Sequence, residues 1–257
     1  MIIENKAVVI TGAAQGIGAA LARALDGRGP RAMTLLDLDI DKLRGLAAEL
    51  TCPNIEIGKC NVGDPEALPP FVSKMEAKYG GVDLFCANAG IFPPGGEDAD
   101  LDVWHKTLDI NLMSHIHAAR ACLPGMLAKG SGYFLHTVSA AGLLSQIGSA
   151  PYTVSKHGAL AFAEWLSITY GDRGIGVTAL CPQGVDTPML RDIDNVDSVS
   201  GDGLASAMEV AECAITAISE RKFLALPHPM VADYFRFKAE DHDRWLRGMR
   251  RLKSKLD

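Results

Sequence analysis

The 257-residue sequence is most informative first in what it lacks. Its six cysteines, at 52, 60, 86, 122, 181 and 213, contain no C-x-x-C pair, so neither a zinc site nor a dithiol redox motif is suggested. Four of them lie in or beside apolar runs, as reduced buried thiols do. No metal site is expected. No run of about eighteen apolar residues occurs, so no membrane span is expected. The start, M-I-I-E-N-K, has no apolar core ahead of a cleavage site and does not read as a signal peptide, which points to a cytoplasmic protein. There is no excess of positive charge: the net charge of −6 argues against a nucleic-acid partner. Repeats, low-complexity tracts and obvious linkers are also missing. What remains is a chain with 48% apolar residues, enough for one large α/β core.

Strands alternate with helices throughout. The run A-V-V-I (Ala7 to Ile10) enters T-G-A-A-Q-G-I-G (Thr11 to Gly18) and an Ala/Leu-rich stretch to Leu25. This reads as strand, glycine turn, helix. Gly12, Gly16 and Gly18, with Gln15 and Ile17 between them, would let a pyrophosphate approach the helix N-terminus, where free N–H groups and the dipole favour negative charge. An ordinary strand-to-helix turn is the alternative. Met33 to Leu36 is a second strand ending at Asp37, about twenty residues on, where a carboxylate accepts from an adenosine ribose. It would repel a 2′-phosphate, and neither Gln15 nor Leu38 is a compensating cation, so NAD is expected over NADP.

Further strands are expected at Ile55 to Ile57, Val82 to Ala87, Tyr133 to Val138, Val177 to Leu180 and Lys222 to Leu226. The third ends near Asn61 and Val62, the fourth at Asn88, Ala89 and Gly90. A helix opens at Asp64-Pro65 and runs to Tyr79, unless Pro69-Pro70 breaks or delays it. Leu101 to Leu127 reads mostly as one helix with Asn111 in its middle, a residue whose side chain there should be bonded to something. Residues 190 to 206 are polar and read as a loop. The tail from Pro229 carries apolar residues at helical spacing and a basic end; it reads as an amphipathic helix docked on its own domain or at a subunit interface, or as a contact to an acidic ligand or membrane surface. Together these give an α/β fold, a single doubly wound parallel sheet with helices on both faces, one domain over 1–257 with 227–257 as a helical extension.

The chemistry-bearing stretch is Ser139 to Lys156. Tyr152 and Lys156, four apart behind Pro151, share a face of the helix expected over Ala150 to Tyr170. A phenol with a pKa near ~10 is a poor base at neutral pH. A fixed cation beside it favours the phenolate, and the pair becomes a general acid/base for an alcohol or ketone. Ser139 could hydrogen-bond the same substrate oxygen.

T-G-x-x-x-G-x-G, N-A-G at 88–90, Asn111, Ser139 and Y-x-x-x-K resemble, in order and spacing, the classical short-chain dehydrogenase/reductase family, from Thr11 to about Leu226. The resemblance implies that Tyr152 donates and accepts the proton and that Ser139 orients the substrate oxygen. It implies that Lys156 lowers the Tyr152 pKa and holds the nicotinamide ribose, and that Asn111 supports a water-linked relay. Asn88 to Gly90 would pack near the adenosine, and Val185 and Thr187, after Pro182, would hold the carboxamide. It also implies pairing into a homodimer or homotetramer through the long helices. Two departures stand out: Asn61 replaces a usual Asp before Val62, and Gln183 replaces the glycine of Pro-Gly. The leading expectation is an NAD-dependent oxidoreductase interconverting a secondary alcohol and a ketone in a mainly apolar pocket. The alternatives are an NADPH-dependent ketoreductase and a non-catalytic dinucleotide-binding sensor.

Overall fold

The structure, a computed structural model, describes residues 1–191 and 203–256. Seven parallel strands form the sheet: β1 (Ala7–Thr11), β2 (Ala32–Asp37), β3 (Ile55–Lys59), β4 (Leu84–Ala87), β5 (Gly132–Thr137), β6 (Ile175–Leu180) and, after the short pair β7 (Val185–Asp186) and β8 (Ala205–Ser206), β9 (Leu224–Ala225). Their spatial order is β3-β2-β1-β4-β5-β6-β9. The order reverses direction between β1 and β4, the switch point that opens a ligand crevice at the C-terminal strand ends. All five residues of β1 and all six of β6 are buried, as strands covered on both faces must be.

Two apolar layers flank the sheet. One packs under α1 (Gly16–Asp26), α2 (Ile40–Glu49) and α9 (Ala207–Glu220). The other packs under α3 (Pro69–Tyr79), α5 (Ser114–Lys129) and α7 (Ala150–Tyr170). Helix α7 has the bounds expected from its sequence. Ser149 caps it, its hydroxyl accepting from the Tyr152 N–H at 3.2 Å and donating to Pro93 O. Helix α3 starts at Pro69, so the double proline delays it.

Two expectations are corrected, and a third falls mostly on residues outside those described. The helix from Leu101 is interrupted: α4 (Leu101–Leu108) passes through a π-helical turn, Asp109–Met113, into α5, and Asn111 sits in that turn. Single π-turns appear where a helix yields to local bonding demands, often at functional sites. The polar stretch 190–206 lies largely outside the described residues. At its described ends, Arg191 closes the short helix α8 (Pro188–Arg191) and Ala205–Ser206 pair with Val185–Asp186. The tail forms two helices, α10 (Met230–Glu240) and α11 (His242–Leu256), with the break at Asp241. Helix α11 has no fully buried residue.

Candidate active site

A cavity of about 770 Å³ runs along the C-terminal strand ends. At one end lies the glycine turn after β1. Gly12 has φ +64°, and a Cβ there would meet the Ala89 Cα at 2.8 Å. A Cβ on Gly18 would lie 2.0 Å from Gly12 O, so that glycine lets α1 close onto the turn and does not itself face the cavity. Gly12, Gln15, Gly16 and Ile17 do face it. Asn88 braces the turn: its Nδ2 donates to Thr11 O and Gly12 O, and its Oδ1 accepts from Thr137 Oγ1. Asn88, Ala89 and Gly90 all reach the cavity wall.

Asp37 closes this end. Its carboxylate accepts from the backbone N–H of Ala14 (3.0 Å), Leu38 (2.7 Å) and Asp39 (3.1 Å), which fixes its orientation on the cavity rim. Asn61 and Val62 line the same end. The Asn61 Oδ1 accepts from Gly63 N at 3.2 Å, so this oxygen is already engaged in an Asx turn. Lys42 went unanticipated. From the first turn of α2 it reaches back, placing its ammonium 3.0 Å from Gln15 Oε1 and 3.2 Å from Asp39. No spacing in the sequence signals that reach.

The other end gathers Ser139, Tyr152, Lys156, Pro182, Val185 and Thr187. Ser139 follows β5 and caps the short helix α6 (Ala140–Leu143), its Oγ accepting from Ala141 N at 3.1 Å. Its backbone, at φ 156°, is held by the bond from Ala140 N to Pro182 O at 2.8 Å. Lys156 is buried. Its ammonium donates to Thr137 O at 3.0 Å and stands 5.6 Å from the centre of the Tyr152 ring. Phe92 packs against that ring with centres 4.6 Å apart. Asn111 lies beneath the cavity, fully buried, with both amide ends bonded to Ile91 and Nδ2 also donating to Ser155 Oγ.

The electrostatics differ from the expectation that the ammonium pulls the phenol down. Burial pushes the Tyr152 phenol above its usual value, with a hydrogen bond to Ser139 working against it. Burial also pushes Lys156 down to about 8. Burial disfavours the charged form of each group, and at Tyr152 it outweighs the Ser139 hydrogen bond. Cys181, beside them, is pushed up to about 12 by burial and stays a thiol.

The roof is the main feature that sequence reasoning missed. Tyr234 and Phe237 of α10 and Trp245, Gly248, Met249 and Leu252 of α11 line the cavity. Lys238 anchors α10, its ammonium donating to Leu143 O (2.8 Å) and Leu144 O (3.1 Å) at the end of the helix that Ser139 caps. The helical spacing of these apolar residues is legible; what they cover is not.

The residues fit a nicotinamide dinucleotide. The floor includes Gly12, where a Cβ would collide with Ala89, a carboxylate is fixed at one end, and a hydroxyl–phenol–ammonium group stands at the other. Among the described residues, no helix is long and apolar enough to cross a membrane.

Comparison with known proteins agrees. The family model for short chain dehydrogenase matches residues 6–197. The 1-deoxy-11-beta-hydroxypentalenate dehydrogenase of Streptomyces exfoliatus is 33% identical over 229 residues, covering 87% of this chain and 83% of that protein. The cyclohexanol dehydrogenase of an Acinetobacter strain is 26% identical over 200 residues, covering 76% and 79%. The solved structure of a short-chain dehydrogenase/reductase from Burkholderia phymatum in complex with NAD superposes with a TM-score of 0.83 at 25% identity, covering 95% and 96% of the two chains. Glycine turn, carboxylate, Ser139, Tyr152 and Lys156 along one strand edge, and relatives of this kind, lead to one conclusion: the chain belongs to the short-chain dehydrogenase/reductase family and is an oxidoreductase of CH–OH groups.

Proposed function

We propose that this protein is an NAD-dependent dehydrogenase interconverting a secondary alcohol and a ketone on a largely apolar skeleton. The observation that carries the reading is the placement of Asp37 and the Ser139–Tyr152–Lys156 group at opposite ends of one cavity. Bound there, the dinucleotide supplies the hydride acceptor or donor. Asp37 takes the adenosine ribose hydroxyls, and the glycine turn takes the pyrophosphate. Val185 and Thr187 hold the carboxamide end, and Lys156 the nicotinamide ribose.

Tyr152 keeps its proton at neutral pH, which suits donation to a ketone oxygen that Ser139 polarises. In the direction of oxidation the phenol takes up the carbinol proton as it hands its own on. Lys156, pushed down to about 8, is partly neutral just above neutrality and takes that proton. Oxidation therefore rises with pH through about 8. Asn111 positions the loop at Ile91 behind this group and supports the onward relay. Phe92, Leu144, Trp245 and Met249 make the chamber suited to a carbon ring.

One observation favours NADPH instead: the Lys42 ammonium beside Gln15 could meet a 2′-phosphate. It is already paired with Asp39, and Asp37 remains against that phosphate, so NAD stays the leading reading. A one-sided apolar stripe on α7, with Val154, Trp165 and Ile168 all at least half exposed, supports pairing of two copies through the long helices. The unpaired cysteines suit the cytoplasm. The test is direct: the purified protein is mixed with cyclohexanol and a panel of larger secondary alcohols, with NAD and NADP in parallel. NADH formation supports the reading; equal or better use of NADP overturns the NAD assignment.

A further inference from the structure

Two walls of the cavity meet at the ammonium of Lys238, a residue that does not itself line it. From the half-buried side of α10 it donates to Leu143 O at 2.8 Å and Leu144 O at 3.1 Å, the carbonyls at the end of α6. A lysine at a helix end satisfies carbonyls that the helix itself leaves open. Leu143 and Leu144 are buried, and both bonds are partly shielded from water. Burial pushes the Lys238 pKa below its usual value, the cost of holding a cation there.

On one side these bonds fix a segment of the wall. Leu144, Ser145 and Gln146 line the cavity, and Ser145 has φ +131°, a conformation a serine keeps only when its surroundings impose it. The far end of the segment is tied to α7 beside Tyr152: Gln146 N donates to Thr153 Oγ1 at 2.9 Å, and that hydroxyl donates to Gln146 O at 3.1 Å. Lys238 holds the near end. On the other side the same bonds fix the roof. Val231, at the start of α10, is the one buried residue of that helix, and Lys238 pins its last turn. Trp245 packs on Phe237 with ring centres 6.2 Å apart, and the Arg244 guanidinium lies 4.9 Å from the centre of the Phe237 ring, so α11 follows wherever α10 is held.

We infer that Lys238 is a positioning residue for substrate specificity: by tying the carbonyls before Ser145 to α10, it sets the width of the chamber between the Leu144–Gln146 segment and the roof, where the apolar skeleton of the substrate lies. The inference rests on the proposed alcohol dehydrogenase function and deepens it. The reacting end of the chamber is held without Lys238, because Val138 N donates to Leu180 O and Ala140 N to Pro182 O, both at 2.8 Å, on either side of Ser139. Loss of Lys238 therefore loosens contacts remote from the carbinol and leaves the proton-transfer geometry in place. A small alcohol, held mainly at its carbinol, is little affected. A large one loses contacts that it makes equally in the bound complex and the transition state, which raises KM and spares kcat.

The test measures kcat and KM for cyclohexanol and for the bicyclic decahydro-2-naphthol in wild type, Lys238→Met, Lys238→Gln and Lys238→Arg. NAD dissociation constants and thermal midpoints are measured alongside. Methionine keeps the stem without the donor, glutamine is shorter and neutral and serves if methionine perturbs folding, and arginine keeps the charge and the donors. The expected result in the two neutral variants is a KM for the bicyclic alcohol raised about tenfold or more, with the KM for cyclohexanol within about threefold of wild type. kcat on both alcohols and NAD affinity stay within about threefold, and arginine returns the bicyclic KM to within about threefold of wild type. An unchanged ratio of the two KM values overturns the Lys238 assignment alone. So does a rise shared equally by both alcohols, a loss confined to kcat, an arginine variant no better than the neutral ones, or loss of folding or NAD binding in both neutral variants, since Lys238 then serves the fold as a whole. Absence of NAD reduction by wild type with either alcohol overturns the functional reading, and this inference with it.

Discussion

Asn111 and Ile91 are paired like two peptide groups. The Asn111 Oδ1 accepts from Ile91 N, and its Nδ2 donates to Ile91 O, both at 2.9 Å. A side chain thereby replaces a missing strand neighbour for the loop after β4, and Ser155 on α7 receives the second amide proton at 3.1 Å. The π-turn at Asp109–Met113 accompanies this arrangement. Asn111→Leu leaves the Ile91 N–H and C=O without this partner in the interior. The expected cost is roughly 2–4 kcal/mol, seen as a lower denaturant midpoint, with activity falling further than stability. A variant as stable as wild type would show that the loop finds other partners.

Asp37→Ala removes a carboxylate held by three backbone N–H groups. NAD affinity should fall about 10- to 100-fold, the usual range for losing hydrogen bonds to a charged group. NADP affinity should rise, because Lys42 is then no longer opposed by Asp37. Side-by-side titration of the two dinucleotides reads both effects, and an unchanged preference would mean that Asp37 does not select.

His115 and His136 form a buried pair, their Nδ1 atoms 2.8 Å apart. Burial holds His136 at about 3 and His115 well below its usual value, with Lys156 adding to the latter. Both rings are therefore neutral in the folded protein, whereas the unfolded chain binds two protons below about pH 6.5. The unfolded state takes up more protons in that window, so stability rises with pH from about 3 to 6.5 and is lost on acidification. Each ring contributes a slope of up to about 1.4 kcal/mol per pH unit. His136→Phe should unfold less steeply with acid between pH 6 and 4 than wild type, measured by thermal midpoint; parallel curves would contradict this origin.

Deleting α11 should separate stability from substrate binding. With no fully buried residue, the helix should contribute only about 1–2 kcal/mol to folding. Loss of Trp245, Met249 and Leu252 from the roof should raise the KM for bulky alcohols about tenfold or more, with little change in NAD affinity. Unchanged kinetics on large substrates would remove the roof from the account.

Much of this architecture was legible because local signals agreed. Pro151 and the apolar run set the bounds of α7, the strand–glycine–helix junction placed β1 and α1, and the strand ends brought Asp37, Asn88, Ser139 and Pro182 to one edge. What was not legible depends on tertiary partners. The π-turn accompanies Asn111 bonding to a loop twenty residues away. Lys42 reaches Gln15 only because α2 packs beside the glycine turn. The tail shows an amphipathic pattern whichever surface it covers, so its role as a cavity roof had to come from the fold. The direction of the Tyr152 shift also escaped, since four-residue spacing gives proximity to Lys156 but not how deeply both are buried.

The proton-transfer role of Tyr152 is tested most directly by NADH formation from a secondary alcohol in wild type and Tyr152→Phe, with NAD affinity measured on both. The account predicts a loss on the order of a thousandfold in turnover with NAD binding retained. Equal turnover by the phenylalanine variant would contradict it.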